Sequence, residues 1–317
     1  MKLPQAKDPS APTGRLPENR VLKGHQHLVY NIQSDKAEEG HDINGLGHAS
    51  SNAKLAALAF IIRKRSPQNI QQGLDYIRQN HSRFKDMMSR SHNDAILLEV
   101  AKAMNHPQTP LFQSAMRPLM RTPEGHQMNY IPQAHPEATR AFFDAYQKEF
   151  MKYQDDFKIY DSRIVDPTGR ADPQYHRGTT KATPHQISHL VAYLYKLDNG
   201  KTLSSLLNPN DGAHTATYLK GRDKPGNGQL LFAKTGSISE SEYRYLPKDS
   251  PERTQFPNGV YLLTMGYMQE GEPKMVMFRA DSKLQREQLA KKFLDDVAGV
   301  QPTQTVAVKR PRPTTSA

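Results

Sequence analysis

Cysteine is absent from the 317 residues. That excludes a disulfide framework and thiolate chemistry, and it fits any cellular compartment. Long apolar runs are also missing. The longest, residues 55–62, is far too short to cross a bilayer, so no transmembrane segment is expected. The opening residues, Met1-Lys2-Leu3-Pro4-Gln5-Ala6-Lys7-Asp8-Pro9, contain no apolar h-region, so no Sec signal peptide is expected. Localisation stays open between the cytoplasm and export by another route. Acidic residues are scarce beside basic ones, 32 against 43, and the net charge is +11. A surface of that sign attracts anionic polymers. The compact basic runs, Arg63-Lys64-Arg65 and Lys309-Arg310-Pro311-Arg312, are accompanied by no nucleic-acid motif, so they read as solvated surface and no nucleic-acid partner is expected. His185 and His189 stand four apart, a spacing that could hold zinc. No third ligand or general-base glutamate stands at the right distance, so neither metal nor cofactor is expected.

Apolar content is 36 % and mean hydropathy is −0.77, low for a globular chain but gathered into clear blocks. Residues 1–20, rich in Pro and Lys, read as a flexible leader, and 299–317 as a disordered basic tail. Between them, partial alternation predicts a first strand at 27–32. Apolar periodicity predicts helices behind Ser51, at 70–79, 94–104, 136–153 and 185–197, and a helical turn at 203–207. The proline-rich stretch 105–137 reads as an irregular connection or a lobe-specific insertion. Phe142, Phe143, Tyr146 and Phe150 form an aromatic stripe read as core. Strands are expected at 230–236, 260–267 and 274–278, and a last amphipathic helix at 282–297. The order is strand, helical middle, three strands, helix. One discontinuous α/β unit over 21–298 accounts for it, with a sheet drawn from both chain ends and a helical lobe, roughly 55–220, inserted.

Chemistry concentrates at Ser51-Asn52-Ala53-Lys54. Leu55, Leu58, Ala59 and Ile62 make one stripe behind it, which puts Ser51 near the first turn of a buried helix. Positions three apart on a helix are neighbours, so the Lys54 amine can reach the Ser51 hydroxyl. A helix start favours developing negative charge. A serine, a lysine and a helix end together make an activated nucleophile. By itself the tetrad is common, and its plain reading is a capping serine with an exposed lysine. Two further stretches alter that reading. Ser91-His92-Asn93 sits on the loop before a helix, and Lys234-Thr235-Gly236 lies in an apolar strand ending at Ser237.

Ser-x-x-Lys, then Ser-x-Asn, then Lys-Thr-Gly, in this order, resembles the signature of the serine penicillin-recognising enzymes, which include penicillin-binding proteins and β-lactamases. Ile164-Val165-Asp166-Pro167-Thr168-Gly169 is similar to a segment of the low-molecular-mass D-alanyl-D-alanine carboxypeptidases and endopeptidases. Thr179-Thr180-Lys181-Ala182-Thr183-Pro184, with the helix after it, is similar either to a further segment of that group or to the D-T-T-T-P segment of the β-lactamases. The resemblance covers about 43–297. It implies an antiparallel sheet flanked by helices with an all-helical lobe, and an acyl-enzyme hydrolase acting on peptidoglycan peptides and open to β-lactams.

It further implies roles. Ser51 would be the nucleophile and Lys54 its base. Ser91 and Asn93 would relay a proton and hold the substrate amide. Lys234 would act as a second cation near the substrate carboxylate. Thr235 would bind that carboxylate, Gly236 would permit close approach, and the N–H groups of Ser51 and Ser237 would form the oxyanion hole. Plain alternation sends Lys234 and Gly236 to one face of their strand and Thr235 to the other. A twist at Gly236 is expected to bring both side chains to one ligand.

The chain also departs from the pattern. Only 40 positions separate Ser51 from Ser91, a short spacing, and the E-x-x-L-N frame that carries a deacylating glutamate is missing. Asp166 is the nearest acid. These features favour a carboxypeptidase or endopeptidase. A β-lactamase, an esterase or a non-catalytic module on the same scaffold are the alternatives.

Overall fold

A computed structural model describes residues 15–66, 68–89, 92–116, 130–160, 166–168, 180–211, 216–239 and 259–299. The chain begins with a hairpin, β1 (His27–Asn31) and β2 (Lys36–His41). A two-residue strand, β3 (Gly47–His48), leads through a 3₁₀ turn, Ser50–Asn52, into helix α1 (Ala53–Arg65). Then follow α2 (Ile70–Gln79), α3 (His81–Ser89), α4 (Asn93–Ala103), α5 (Thr109–Met116), α6 (Tyr130–Ala134), α7 (Pro136–Phe150) and α8 (Gln154–Phe157). After β4 (Lys181–Ala182) come α9 (Pro184–Asp198) and α10 (Lys201–Leu206). The sheet closes with β5 (Leu230–Ser239), β6 (Gly259–Gln269) and β7 (Glu272–Ala280), and α11 (Lys283–Val297) follows.

Five strands form one antiparallel sheet in the order β2-β1-β7-β6-β5. It joins strands from both ends of the chain, and the helical middle lies between them in sequence, as expected. Each inner strand alternates between two cores. Leu28, Tyr30, Leu262, Met275 and Met277 face the helical lobe and pack in its large cluster with α1 and α9. Val29, Leu263, Met265, Val276 and Phe278 face the other way, onto Ala290, Phe293 and Leu294 of α11. The alternation follows from the pleat, because a sheet covered on both faces must be apolar at successive positions.

Helix α1 is the axis of the lobe. Every residue from Ala53 to Ile62 is buried, which is why its apolar stripe extends all the way round. Phe60 meets Tyr146, Phe150 and Tyr153 edge-on or stacked at 5.2–6.2 Å, so the aromatic stripe of α7 is core. Helix α9 opens with a capping box, Thr183 and Gln186 satisfying each other's backbone N–H.

The irregular connection expected at 105–137 is instead helical where it is described, as α5 and α6. Pro110 and Pro132 lie in the first turns of these short helices, where proline's missing N–H costs nothing. The strand β2 was not expected, since its side chains are mostly polar and carry no apolar pattern. The leading residues 15–20 meet β2: Gly40 N–H donates to Pro17 O at 2.9 Å, and Asn19 donates to Glu39 at 2.6 Å. The rest of the expected leader and nearly all of the expected tail lie outside the described residues.

Candidate active site

The loop that carries Ser51 is fixed from both sides. Upstream, β3 pairs with β4 (Gly47 with Ala182, His48 with Lys181), and Ala49 N–H donates to Thr180 O at 2.9 Å. The buried guanidinium of Arg279, on β7, donates to Gln26 and to Ala182 O and lies flat against Gly47. A Cβ at Gly47 would fall within 2.6 Å of it, so a larger residue there would push the guanidinium aside. Downstream, Ser50 Oγ donates to Ser237 O at 2.8 Å and ties the 3₁₀ turn to β5. Ser50 has φ 48°, the left-handed region that a serine adopts only when its surroundings hold it. That kink places Ser51 at the start of the helix.

Across this turn runs β5, the edge strand of the sheet. An ideal Cβ on Gly236 would sit 3.1 Å from Ser50 Cβ and 3.3 Å from Ser51 N. The glycine is what lets the Ser51 N–H lie against the strand. Residue 237 follows at once, so the two backbone N–H groups expected to bind an oxyanion belong to segments that touch. Peptide groups held this way stabilise charge without reorganising.

Lys54, in the first turn of α1, is fully buried, and its Nζ has no hydrogen-bond partner among the described residues. Burial pushes its pKa well below the usual lysine value, the Lys234 ammonium pushes it further, and Asp166 opposes both. Lys234 is also fully buried, and its Nζ donates to Thr235 O at 2.9 Å. Its pKa falls to about 7, chiefly by burial and then by the charge of Arg286. A buried amine near neutrality is what a lysine base needs, because a charged one has no lone pair to offer.

Asp166 is buried in a closed turn. Its carboxylate accepts from Thr168 N–H at 2.7 Å and from Thr168 Oγ1 at 2.8 Å, while Thr180 Oγ1 bonds the Asp166 backbone. Thr180 in turn carries the carbonyl that receives Ala49 N–H. The acid is therefore linked to the serine loop and bears electrostatically on Lys54. Tyr146 feels it too: the phenol's pKa is well above its usual value, by burial first and Asp166 second, and its OH has no partner among the described residues.

Asn93 is buried and is the first residue of α4, one step later than the loop position expected, with α4 packed on α1. Ser91 and residues 161–165 of the Asp166 segment lie outside the described residues.

No register irregularity falls at Gly236. Pairing of β5 with β6 runs unbroken from Lys234↔Thr264 to Ser239↔Gly259, and the irregularity falls earlier, between Leu230 and Phe232. Lys234 and Gly236 thus share the lobe face with Ser51, and Thr235 shares the opposite face with Ala233 and α11. Waiting on that face is Arg286 of α11, which sequence reading missed. It is 4 % exposed. Its Nη1 donates to Gly236 O at 3.4 Å, and its guanidinium lies 5.9 and 6.0 Å from the rings of Tyr218 and Tyr261. His185 and His189 meet each other and Tyr30 edge-on, and no cluster able to hold a metal ion occurs among the described residues.

No protein-family model and no curated protein matches the chain. Solved structures do, at low identity, and what they show is a likeness of fold. A crystal structure of a peptidoglycan synthesis regulatory factor (PBP3) from Streptococcus pneumoniae superposes with a TM-score of 0.53, at 11 % identity, over 87 % of this chain and 79 % of that one. Penicillin-Binding Protein D2 from Listeria monocytogenes, in its ampicillin-bound form, matches at TM-score 0.48 and 11 % identity over 89 % of this chain and 99 % of that one. The D-alanyl-D-alanine carboxypeptidase DacD from Francisella tularensis matches at 0.45 and 12 % over 90 % and 73 %.

Proposed function

We propose that the chain is a serine acyl-enzyme hydrolase that cleaves a peptide bond ahead of a D-residue, as a D-alanyl-D-alanine carboxypeptidase or D,D-endopeptidase on peptidoglycan peptides. The observation that carries this reading is the juxtaposition at Gly236, where the Ser51 N–H meets the strand bearing Lys234 while a second buried lysine stands one turn into α1. In the proposed reaction Ser51 Oγ attacks the scissile carbonyl carbon and Lys54, as neutral amine, takes its proton. The developing oxyanion is held by the N–H groups of Ser51 and Ser237. The C–N bond breaks, and the leaving amine departs with a proton delivered through Ser91. Water then hydrolyses the ester.

Two features support a peptide substrate with a free carboxylate. β5 is an edge strand, so an extended peptide can add alongside it. Thr235 and Arg286 place a hydroxyl and a guanidinium around its outer face, a chemistry suited to a carboxylate. The engagement of Asp166 with Thr168 speaks against rapid β-lactam hydrolysis, since a carboxylate already accepting two hydrogen bonds from its own turn is a weak base for water. The test is release of free D-alanine from an acylated D-alanyl-D-alanine peptide. Release is expected from the wild-type protein and not from Ser51→Ala. Equal release from both would refute the assignment of Ser51. Hydrolysis of simple esters without release of D-alanine would favour the esterase reading.

A further inference from the structure

Beneath the two lysines lie two buried polar side chains that the reaction does not use. Asn52, inside the Ser-x-x-Lys tetrad, is fully buried, and neither its Oδ1 nor its Nδ2 has a hydrogen-bond partner among the described residues. Thr264, on β6, is fully buried, and its Oγ1 has none either. Register places them together. Thr264 is the cross-strand partner of Lys234, and directly opposed residues share one face of a sheet. That face is the one Gly236 presents to Ser50 and Ser51. The 3₁₀ turn holding Asn52 packs on β5 and β6. Lys54 Nζ, also unpartnered, enters from the next turn. An amide, a hydroxyl and an ammonium are thus gathered under one strand. Buried polar groups are almost always satisfied, and a spot ringed by two to four of them is where an internal water sits.

We propose that Asn52 and Thr264 form the polar floor of the site and hold an internal water that links Lys54 to Lys234, so that a proton accepted by one amine is shared with the other. The two are positioning residues: they act through the lysines and touch no substrate. The water site stands on the packing alone. Only its part in acylation rests on the hydrolase reading above. The charged groups that bear on the Lys54 amine are Lys234 and Asp166 from its turn, and the one that bears on Lys234 is Arg286 from α11. Thr264 adds a neutral acceptor from β6.

Thr264→Val keeps the side chain's shape and suits a strand, while removing the acceptor that helps hold a charged amine. The lysine titrations, followed by NMR on protein carrying isotope-labelled lysine, should fall by about one pH unit in this variant and return in Thr264→Ser. The acid limb of the penicillin acylation rate should move by the same amount in the same direction. Unchanged titrations in Thr264→Val would overturn the proposal. A high-resolution crystal structure of the wild-type protein tests it without any variant: ordered water within hydrogen-bond distance of Thr264 Oγ1 and the Asn52 amide supports it, and side chains bonded directly to each other there refute it. If the titrations shift as expected but no penicillin ever attaches, the floor stands and the hydrolase reading falls.

Discussion

The two faces of β5 do different work with the same six or so residues. On the lobe face, Lys234 and Gly236 meet the Ser51 turn, and around them Lys54, Asn52 and Thr264 are buried, with polar side-chain atoms that have no partner among the described residues. On the opposite face, Thr235 stands in a setting built by α11, where Arg286 reaches the carbonyl of Gly236. One face lowers the proton affinity of amines, and the other gathers donors for an anion. The faces communicate, because the Arg286 charge is the second cause of the lowered Lys234 pKa. On the proposed reading, strand alternation, which first looked like an obstacle to a shared ligand, would separate proton transfer from recognition across the thickness of one strand.

The comparison can be broken most severely on the lobe face. Lys54→Ala removes the base, and labelling by a fluorescent penicillin should slow by about a thousandfold or more. Gly236→Ala should come next. Its methyl would press on Ser50 and the Ser51 N–H, and the loss of an aligned oxyanion donor corresponds to roughly a hundredfold in acylation rate. Thermal unfolding of that variant should change little if the damage is local.

Lys234→Ala sharpens the division between faces. With paired substrates that differ only in a free or amidated terminal carboxylate, a role in recognition predicts that the preference for the free acid disappears while the amide suffers less. Equal losses on both substrates would assign Lys234 to the proton pathway and leave recognition to Thr235 and Arg286.

The smallest expected effect is a shift of pH dependence. In Arg286→Gln one cation beside Lys234 is gone, so the Lys234 pKa should rise from about 7 and the acid limb of the acylation profile should move to higher pH. Folding stability should respond in a matching way. A lysine depressed to about 7 from 10.5 is neutral in the folded protein where the unfolded chain still holds its proton. Stability therefore gains as pH rises from about 7 towards 10.5, and the cost of burying the charge is fully present below 7. In Arg286→Gln this gain should begin at a higher pH, which urea unfolding across that range would detect.

The parts of this arrangement that could be read in the sequence are those written locally. Ser51 with Lys54, and Lys234 with Gly236, are each within one turn or one strand, and the apolar block behind Ser51 announces α1. The strands 27–32, 260–267 and 274–278 and the helices at 70–79 and 185–197 follow from periodicity, and each has its counterpart in the structure. What could not be read depends on register or on distant pairing. Arg286 meets Gly236 across 50 positions, and nothing in the composition of α11 marks it out. Thr264 and Asn52 acquire meaning only when β6 is set beside β5 and the 3₁₀ turn is laid over both. β3 and β4 are two residues long and hold the serine loop by pairing with each other, a contact with no local signature. The prolines between 105 and 137 suggested disruption because position within a helix, which decides whether proline harms it, is not visible before the helix boundaries are known.

The central claim is that Ser51 is an acylated nucleophile. Intact mass of the protein after incubation with penicillin tests it most directly. The account predicts a gain of one penicilloyl group in the wild-type protein, persisting for minutes or longer because the Asp166 carboxylate is engaged by Thr168, and no gain in Ser51→Ala. An adduct retained in Ser51→Ala would contradict the claim. So would rapid turnover of the penicillin that Asp166→Asn abolishes, which would move the chain to the β-lactamases.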